Sequence, residues 1–158
     1  MTRTCLCLIT RTVGNQREVL LGHKKTGFGA GKWVGLGGHI EDGEKPVLAA
    51  VREVEEESGL IVLPDELAHM ATITFLFPAR PAWDQTAEVF ATAAYQGEPA
   101  ESDEIAPRWF GVSDLPLDGM WDDARYWLPP VLAGRHVIAE VTFADDCETV
   151  ARIEPAIS

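Results

Sequence analysis

The stretch that decides the fold is Gly38-His-Ile-Glu-Asp-Gly-Glu-Lys-Pro-Val-Leu-Ala-Ala-Val-Arg-Glu-Val-Glu-Glu-Glu-Ser-Gly-Leu60. Pro46 suits a first helical turn and Gly59 the position just past a helix end, so these residues predict a helix from about Pro46 to Ser58. Seven acids (Glu41, Asp42, Glu44, Glu53, Glu55, Glu56, Glu57) and two bases (Lys45, Arg52) fall between Glu41 and Glu57, which gives 17 residues net −5 of the chain's −12. At about 100° per residue, with Glu53 at zero, Glu56 falls near −60° and Glu57 near +40°. Three carboxylates therefore share one face about 100° wide, while Glu55 points away. Val47, Ala50, Val51 and Val54 form the predicted buried stripe beside them.

Gathering like charges on a helix costs about 0.2–0.5 kcal/mol per i,i+3 or i,i+4 pair. Acids in the last turn also oppose the helix dipole, at about 0.3–1 kcal/mol each. Such a conflict between local preference and sequence marks a functional site. Carboxylate oxygens with room for water suit a hard divalent cation, Mg²⁺ or Mn²⁺, which commonly bridges protein acids to substrate phosphates. The helical wheel alone leaves a merely solvated acidic face open.

The order of residues narrows the choice. Gly38, five residues, Glu44, seven residues, Arg52-Glu53-Val54, one residue, Glu56-Glu57, one residue, Gly59-Leu60 is similar to the Nudix signature at every fixed position. That resemblance implies an α+β chain built as an α/β/α sandwich, with a mixed β-sheet and a loop-helix-loop metal site. It also implies attack of water on a diphosphate linked to another moiety. Carried over by position, Glu53, Glu56, Glu57 and the Gly37 carbonyl resemble the metal ligands. One helix carboxylate of the family also orients or deprotonates water; Glu57 is favoured here and Glu53 second. Arg52 resembles the arginine that orients a neighbouring carboxylate by a bidentate pair. Glu44 resembles an auxiliary acid, and Gly38 and Gly59 serve backbone shape.

A longer resemblance, from roughly Thr4 to Phe143, is to the MutT-homologue branch of this family, which hydrolyses oxidised purine nucleoside triphosphates such as 8-oxo-dGTP and releases pyrophosphate. It rests on Gly22-His-Lys-Lys-Thr-Gly-Phe-Gly-Ala-Gly-Lys-Trp33, Glu101-Ser-Asp-Glu104, Trp109-Phe110, Met120-Trp121 and Tyr126-Trp127. It implies that Glu104 joins the metal site from outside the helix. It further implies that Thr4, Lys24, Phe28, Phe75, Trp121, Asp123 and Trp127, with Gly37 and Gly38, form the substrate pocket. Aromatics offer stacking surfaces for a base and a carboxyl an edge-on partner. Phe75, Trp109, Trp121 and Trp127 also read as core, Lys24 as a solvated loop lysine, and Glu101-Ser-Asp-Glu104 as a polar turn. Two departures stand out: Val34 replaces an asparagine and Ala124 the second of two paired aspartates. Methyls replace groups that read the purine edge, so relaxed or altered nucleobase choice is expected.

The remaining sequence fits this frame. A chain of 158 residues is the size of one domain, and residues 1–158 are expected to form a single Nudix domain. Acids number 25 against 13 bases, which argues against a stable nucleic-acid partner. The early apolar run from Cys5 to Ile9 is too short for a membrane or secretory segment. Cys5, Cys7 and Cys147 are odd in number and lack zinc spacing, which favours a reducing cytoplasm. Cys5 and Cys7 are expected on one strand face. A monomer acting on a small nucleotide is expected. Strands are predicted at Thr4–Thr12, Glu18–Leu21, Trp33–Leu36, Ala71–Phe77, Ala87–Tyr95, Arg108–Val112, His136–Phe143 and Thr149–Ile153. A second helix is predicted at Asp122–Leu132, interrupted or bent by Pro129-Pro130. His23, His39, His69 and His136 lack ligand spacing and read as structural. Two other functions remain open: a Nudix hydrolase of another substrate, such as a dinucleoside polyphosphate or nucleotide sugar, and a non-catalytic ligand sensor that kept the fold.

Overall fold

A computed structural model describes residues 1–157. Its strands are β1 (Thr2–Val13), β2 (Gln16–Lys24), β3 (Trp33–Val34), β4 (Leu36–His39), β5 (Ala68–Leu76), β6 (Gln85–Thr92), β7 (Ile105–Gly111), β8 (Val137–Phe143) and β9 (Val150–Ile157). Its helices are α1 (Pro46–Ser58) and α2 (Ala124–Leu132). The main path of the sheet runs β3-β2-β1-β6-β5-β8-β9, with β4 added on β1 and β7 on β2. β1–β6 and β5–β8 are parallel and the other pairs antiparallel, so the sheet is mixed.

Successive strand residues face opposite sides of a sheet, and here both sides are covered. On β1, Cys5, Cys7 and Ile9 pack towards α1, while Leu6 and Leu8 pack towards α2. On β6, Phe90 goes with the first layer and Val89 and Ala91 with the second. Two apolar cores thus lie on opposite sides of one sheet, the α/β/α arrangement. Cys5 and Cys7 do share a face; both are fully buried and unbridged, and burial pushes their thiols up to about 11 and about 12.

The sheet forks where the function will lie. β1 pairs with β2 only from Ile9 to Val13, and its first half, Thr4 to Cys7, pairs with β4 instead. β2 likewise leaves β1 and pairs with β3 at Gly22 and His23. The stretch expected as one strand, Trp33–Leu36, is therefore two strands separated by Gly35, because its two halves satisfy their backbone groups on different partners.

Other boundaries shift for local reasons. β6 ends at Thr92, where the Thr92 hydroxyl accepts the Ala94 N–H, and the chain leaves the sheet before Tyr95. Pro129 and Pro130 do not break α2, which runs through them to Leu132. Their missing N–H groups face the carbonyls of exposed Arg125 and Tyr126, on the side of the helix turned to water. The predicted stripe on α1 is also too narrow: Ala49, Glu57 and Ser58 are buried together with Ala50 and Val54.

Candidate active site

The predicted bounds of α1 are the observed ones, and Gly59 closes it in the left-handed conformation at φ 77°. Glu53, Glu57 and Glu104 bring one carboxylate oxygen each to within 4.8 Å of one another. Glu104 arrives from the turn before β7, and the backbone carbonyl of that residue holds the Lys25 N–H at 2.9 Å. Glu56 stands apart from this trio: its side chain is 57% exposed and meets Arg52 at 3.3 Å.

β4 forms the wall opposite α1. The Gly37 N–H donates to Glu57 Oε1 at 2.8 Å. In an extended strand a residue's N–H and C=O point the same way, so the Gly37 carbonyl is turned to the same side. Only glycine fits at Gly37, and any side chain at Gly38 would displace the Glu53 carboxylate. A Cβ on Gly37 would sit 1.9 Å from the Cys5 carbonyl oxygen, and one on Gly38 would sit 2.6 Å from Glu53 Cδ.

Arg52 uses all five of its donors. Nε and Nη2 hold Glu44 in a bidentate pair at 2.9 Å each, Nη1 reaches Glu53 at 2.9 Å and Glu56 at 3.3 Å, and Nη2 also reaches the His39 carbonyl at 3.0 Å. The pair holds the Glu44 carboxyl down at about 2. Glu57 moves the opposite way. Burial, with Glu53 and Glu104 close by, pushes its carboxyl from 4.5 up to about 8, against the Gly37 N–H and Lys24, which pull it down. Burial raises Glu53 as well, opposed by Arg52. A buried acid beside two more is a poor arrangement without added positive charge. The donors are all hard oxygens, so the set fits a divalent cation of the Mg²⁺ or Mn²⁺ kind.

The same site opens into a cavity of about 190 Å³ at the fork of the sheet. Thr4, Lys24, Phe28, Gly37, Gly38, Phe75, Trp121, Asp123 and Trp127 all line it, together with Glu57. Val34 and Ala124, the two departures from the family pattern, line it too. Phe28 stands on the glycine-rich loop and stacks on Trp121 with ring centroids 5.0 Å apart at 20°. Close approach of Gly29 to the Trp121 ring, where a Cβ would lie 3.0 Å from Nε1, lets that loop pass. Trp127 is buried on α2 and donates from Nε1 to Asp123 Oδ2 at 2.7 Å. Asp123 is 4% exposed, and burial raises its carboxyl from 3.8 to about 6. Trp109 lies elsewhere, against Tyr95 on the α1 side.

Sequence reasoning missed Gln85, Phe77 and Phe143 as cavity walls. Phe77 and Phe143 stack at 4.5 Å and 1°. Strand alternation could have flagged Gln85, a polar residue in phase with Ala87 and Val89, on the inward face of β6.

Residues 2–131 match the NUDIX domain model. An oxidized purine nucleoside triphosphate hydrolase of Danio rerio is 43% identical over 126 residues, which cover 80% of this chain and 79% of the relative. The enzyme of the same description from Mus musculus is 39% identical over 129 residues, covering 82% and 81%. Among solved structures, a mutator MutT protein from Bacillus halodurans superposes with a TM-score of 0.79 at 21% identity, covering 98% of this chain and 97% of that one. With the motif from Gly38 to Leu60 folded into a loop-helix-loop that gathers its acids, the chain belongs to the Nudix family.

Proposed function

We propose that the chain is a Mg²⁺-dependent hydrolase of purine nucleoside triphosphates, oxidised or otherwise modified, giving the nucleoside monophosphate and pyrophosphate. The observation that carries this reading is the continuity of the cavity: Glu57, Gly37 and Gly38 form one part of its wall, and Phe28, Trp121, Asp123 and Trp127 another. A base stacked among the aromatics puts its phosphates towards the acids. The oxidised purine nucleoside triphosphate hydrolases of zebrafish and mouse, similar over about four-fifths of the chain, support the substrate class.

Glu53, Glu57, Glu104 and the Gly37 carbonyl would hold the metal, and Glu56 would join them only by turning from Arg52. When bound, the metal neutralises charge on the phosphates and lowers the pKa of water. The Gly37 N–H fixes Glu57 Oε1 and leaves the other oxygen for a proton, so Glu57 is the favoured base and Glu53 the second. Water adds to phosphorus, the bond to the departing pyrophosphate breaks, and the water proton passes to that carboxylate. Arg52 and Glu44 keep Glu53 in place. Lys24 supplies a cation beside Glu57, on the side where phosphates would lie. Val34 and Ala124 make the base end more apolar and relax nucleobase choice.

We further place the protein as a monomeric Nudix domain over residues 1–158 in the cytoplasm. The unbridged cysteines support a reducing compartment. No helix among the described residues is long and apolar enough to cross a membrane.

A nucleotide panel assayed for pyrophosphate release with Mg²⁺ tests the reading. Turnover of purine nucleoside triphosphates, lost with chelator, is the expected result. Turnover confined to dinucleoside polyphosphates or nucleotide sugars would reject it. A preference for 8-oxo-dGTP of a hundredfold or more over dGTP, dATP and dCTP would reject relaxed base choice alone.

A further inference from the structure

We infer that Gln85 is a specificity-determining residue of the cavity, its side-chain carbonyl reading an exocyclic amino group on the nucleobase. The inference rests on the cavity being a nucleoside triphosphate site. The polar side chains that line the cavity differ in what they have left to offer. The Thr4 hydroxyl donates to the Thr86 carbonyl at 2.8 Å. Lys24 and Glu57 are assigned to the phosphates, and the charge of Lys24 acts on Glu57. Asp123 is committed through Oδ2 to Trp127. Gln85 keeps unused capacity, since a carboxamide offers two donors and an acceptor with two lone pairs.

Its orientation is fixed by chemistry. Gln85 Nε2 donates to the Trp83 carbonyl at 3.1 Å. A carbonyl accepts only from the nitrogen, so the amide cannot be turned the other way, and Oε1 is the end left over. Among the described residues no buried polar side-chain atom lacks a partner, so Oε1, which accepts no hydrogen bond, is not sealed off, and Gln85 lines the cavity. The position is also rigid. Gln85 opens β6, registered with Thr2 on β1 and Phe75 on β5, and Phe75 and Ala87 line the same cavity. A reader built on a paired strand holds its geometry better than one on a loop.

Around it the walls are apolar: Val34, Ala124, Phe75, Phe77 and Leu128 offer no hydrogen bonds from their side chains. In such surroundings one unpaired acceptor discriminates, because a base presenting its own acceptor there leaves both groups unsatisfied. Above its titration Asp123 is a second acceptor. The cavity therefore favours bases with donors, such as an amino-substituted purine, over the same purine with the amino group removed.

The test compares nucleoside triphosphates matched except for the amino group, guanine against hypoxanthine and adenine against unsubstituted purine, on the wild-type protein, Gln85→Met and Gln85→Glu. Methionine keeps the volume and removes the acceptor; glutamate keeps an acceptor. The wild type is expected to favour the amino-bearing member of at least one pair by about tenfold in kcat/KM. In Gln85→Met that ratio falls to near one, chiefly through a raised KM for the amino-bearing member. In Gln85→Glu the preference persists. A wild type with no amino preference, or a Gln85→Met ratio within about twofold of wild type, overturns the inference while leaving triphosphate hydrolysis standing. Absence of hydrolysis of any nucleoside triphosphate by the wild type overturns the functional reading beneath it. Loss of turnover on every substrate in Gln85→Met, with the preference also lost in Gln85→Glu, marks a structural residue and overturns the inference too.

Discussion

Two acids among the described residues are buried, Glu57 and Asp123, and both line one cavity, the first beside the acid cluster and the second beside Trp127. Burial raises both, Glu57 to about 8 and Asp123 to about 6. Their company differs. Glu57 sits with Glu53 and Glu104, so its charge adds to charges already present. Asp123 takes the Trp127 indole as its side-chain donor and has aromatic neighbours, while Asp122 and Lys32 act on its charge in opposite senses. In the proposed function the first acid meets a cation and the second a neutral, hydrogen-bonding edge. One physical device, desolvation of a carboxylate, is thus present in two different settings.

The largest expected effect comes from removing the charge at the acidic end. Glu57→Gln keeps the shape and the acceptor for the Gly37 N–H, yet turnover should fall about 10²–10⁴-fold, measured by pyrophosphate release. Stability should respond in the opposite sense. Because the folded-state value lies above the ordinary 4.5, the Glu57 contribution to the stability of metal-free protein is fully present below about pH 4.5 and is lost as pH rises through about 8. Mg²⁺ requires the ionised form, so it should raise the melting temperature more at pH 8.5 than at pH 6, and the variant should lose that rise. A variant that melts lower than wild type in chelator at pH 8.5 would break the contrast, since Glu57 would then be stabilising without a cation.

Asp123→Asn makes the matching test at the other end. Its contribution is fully present below about pH 3.8 and is lost as pH rises through about 6, a shift worth about 3 kcal/mol. The amide keeps an oxygen for the Trp127 indole, so the variant should gain up to that amount at pH 7.5 and nothing at pH 3.5. Urea melts at the two pH values measure it. The gain should not depend on Mg²⁺. A gain that disappears in Mg²⁺ would mean that the two ends share one electrostatic site.

The two ends also differed in how far sequence revealed them. The acidic end is written in 23 consecutive residues, and helical periodicity alone put Glu53, Glu56 and Glu57 on one face. It erred on burial, because β4 covers Glu57 and Ala49 and no wheel contains β4. The cavity end joins β1, β5, β6, the glycine-rich loop and α2, whose contacts are set by strand pairing across long separations. Family resemblance supplied Thr4, Phe28 and Trp121 there. It did not supply Gln85, and strand alternation shows inwardness without showing what lies inward. The fork of β1 and β2 was likewise hidden, since Trp33–Leu36 reads as one short strand until two different partners claim the chain on either side of Gly35.

The smallest of these effects isolates position from charge. Arg52 gives five hydrogen bonds from a flat fork to Glu44, Glu53, Glu56 and the His39 carbonyl. Lysine has the same charge but three donors around one point. In Arg52→Lys the charge beside Glu53 persists while the bidentate hold on Glu44 is lost. Groups that orient metal-binding carboxylates typically matter by about 10–100-fold. Activity should fall by that factor and the Mg²⁺ concentration for half-maximal rate should rise. The ratio of kcat/KM between matched purine nucleotides should stay at its wild-type value, because Arg52 lies outside the cavity wall. If the ratio shifts as well, the acids and the aromatic wall move as one body, and the division of labour between Glu57 and Asp123 fails at its premise.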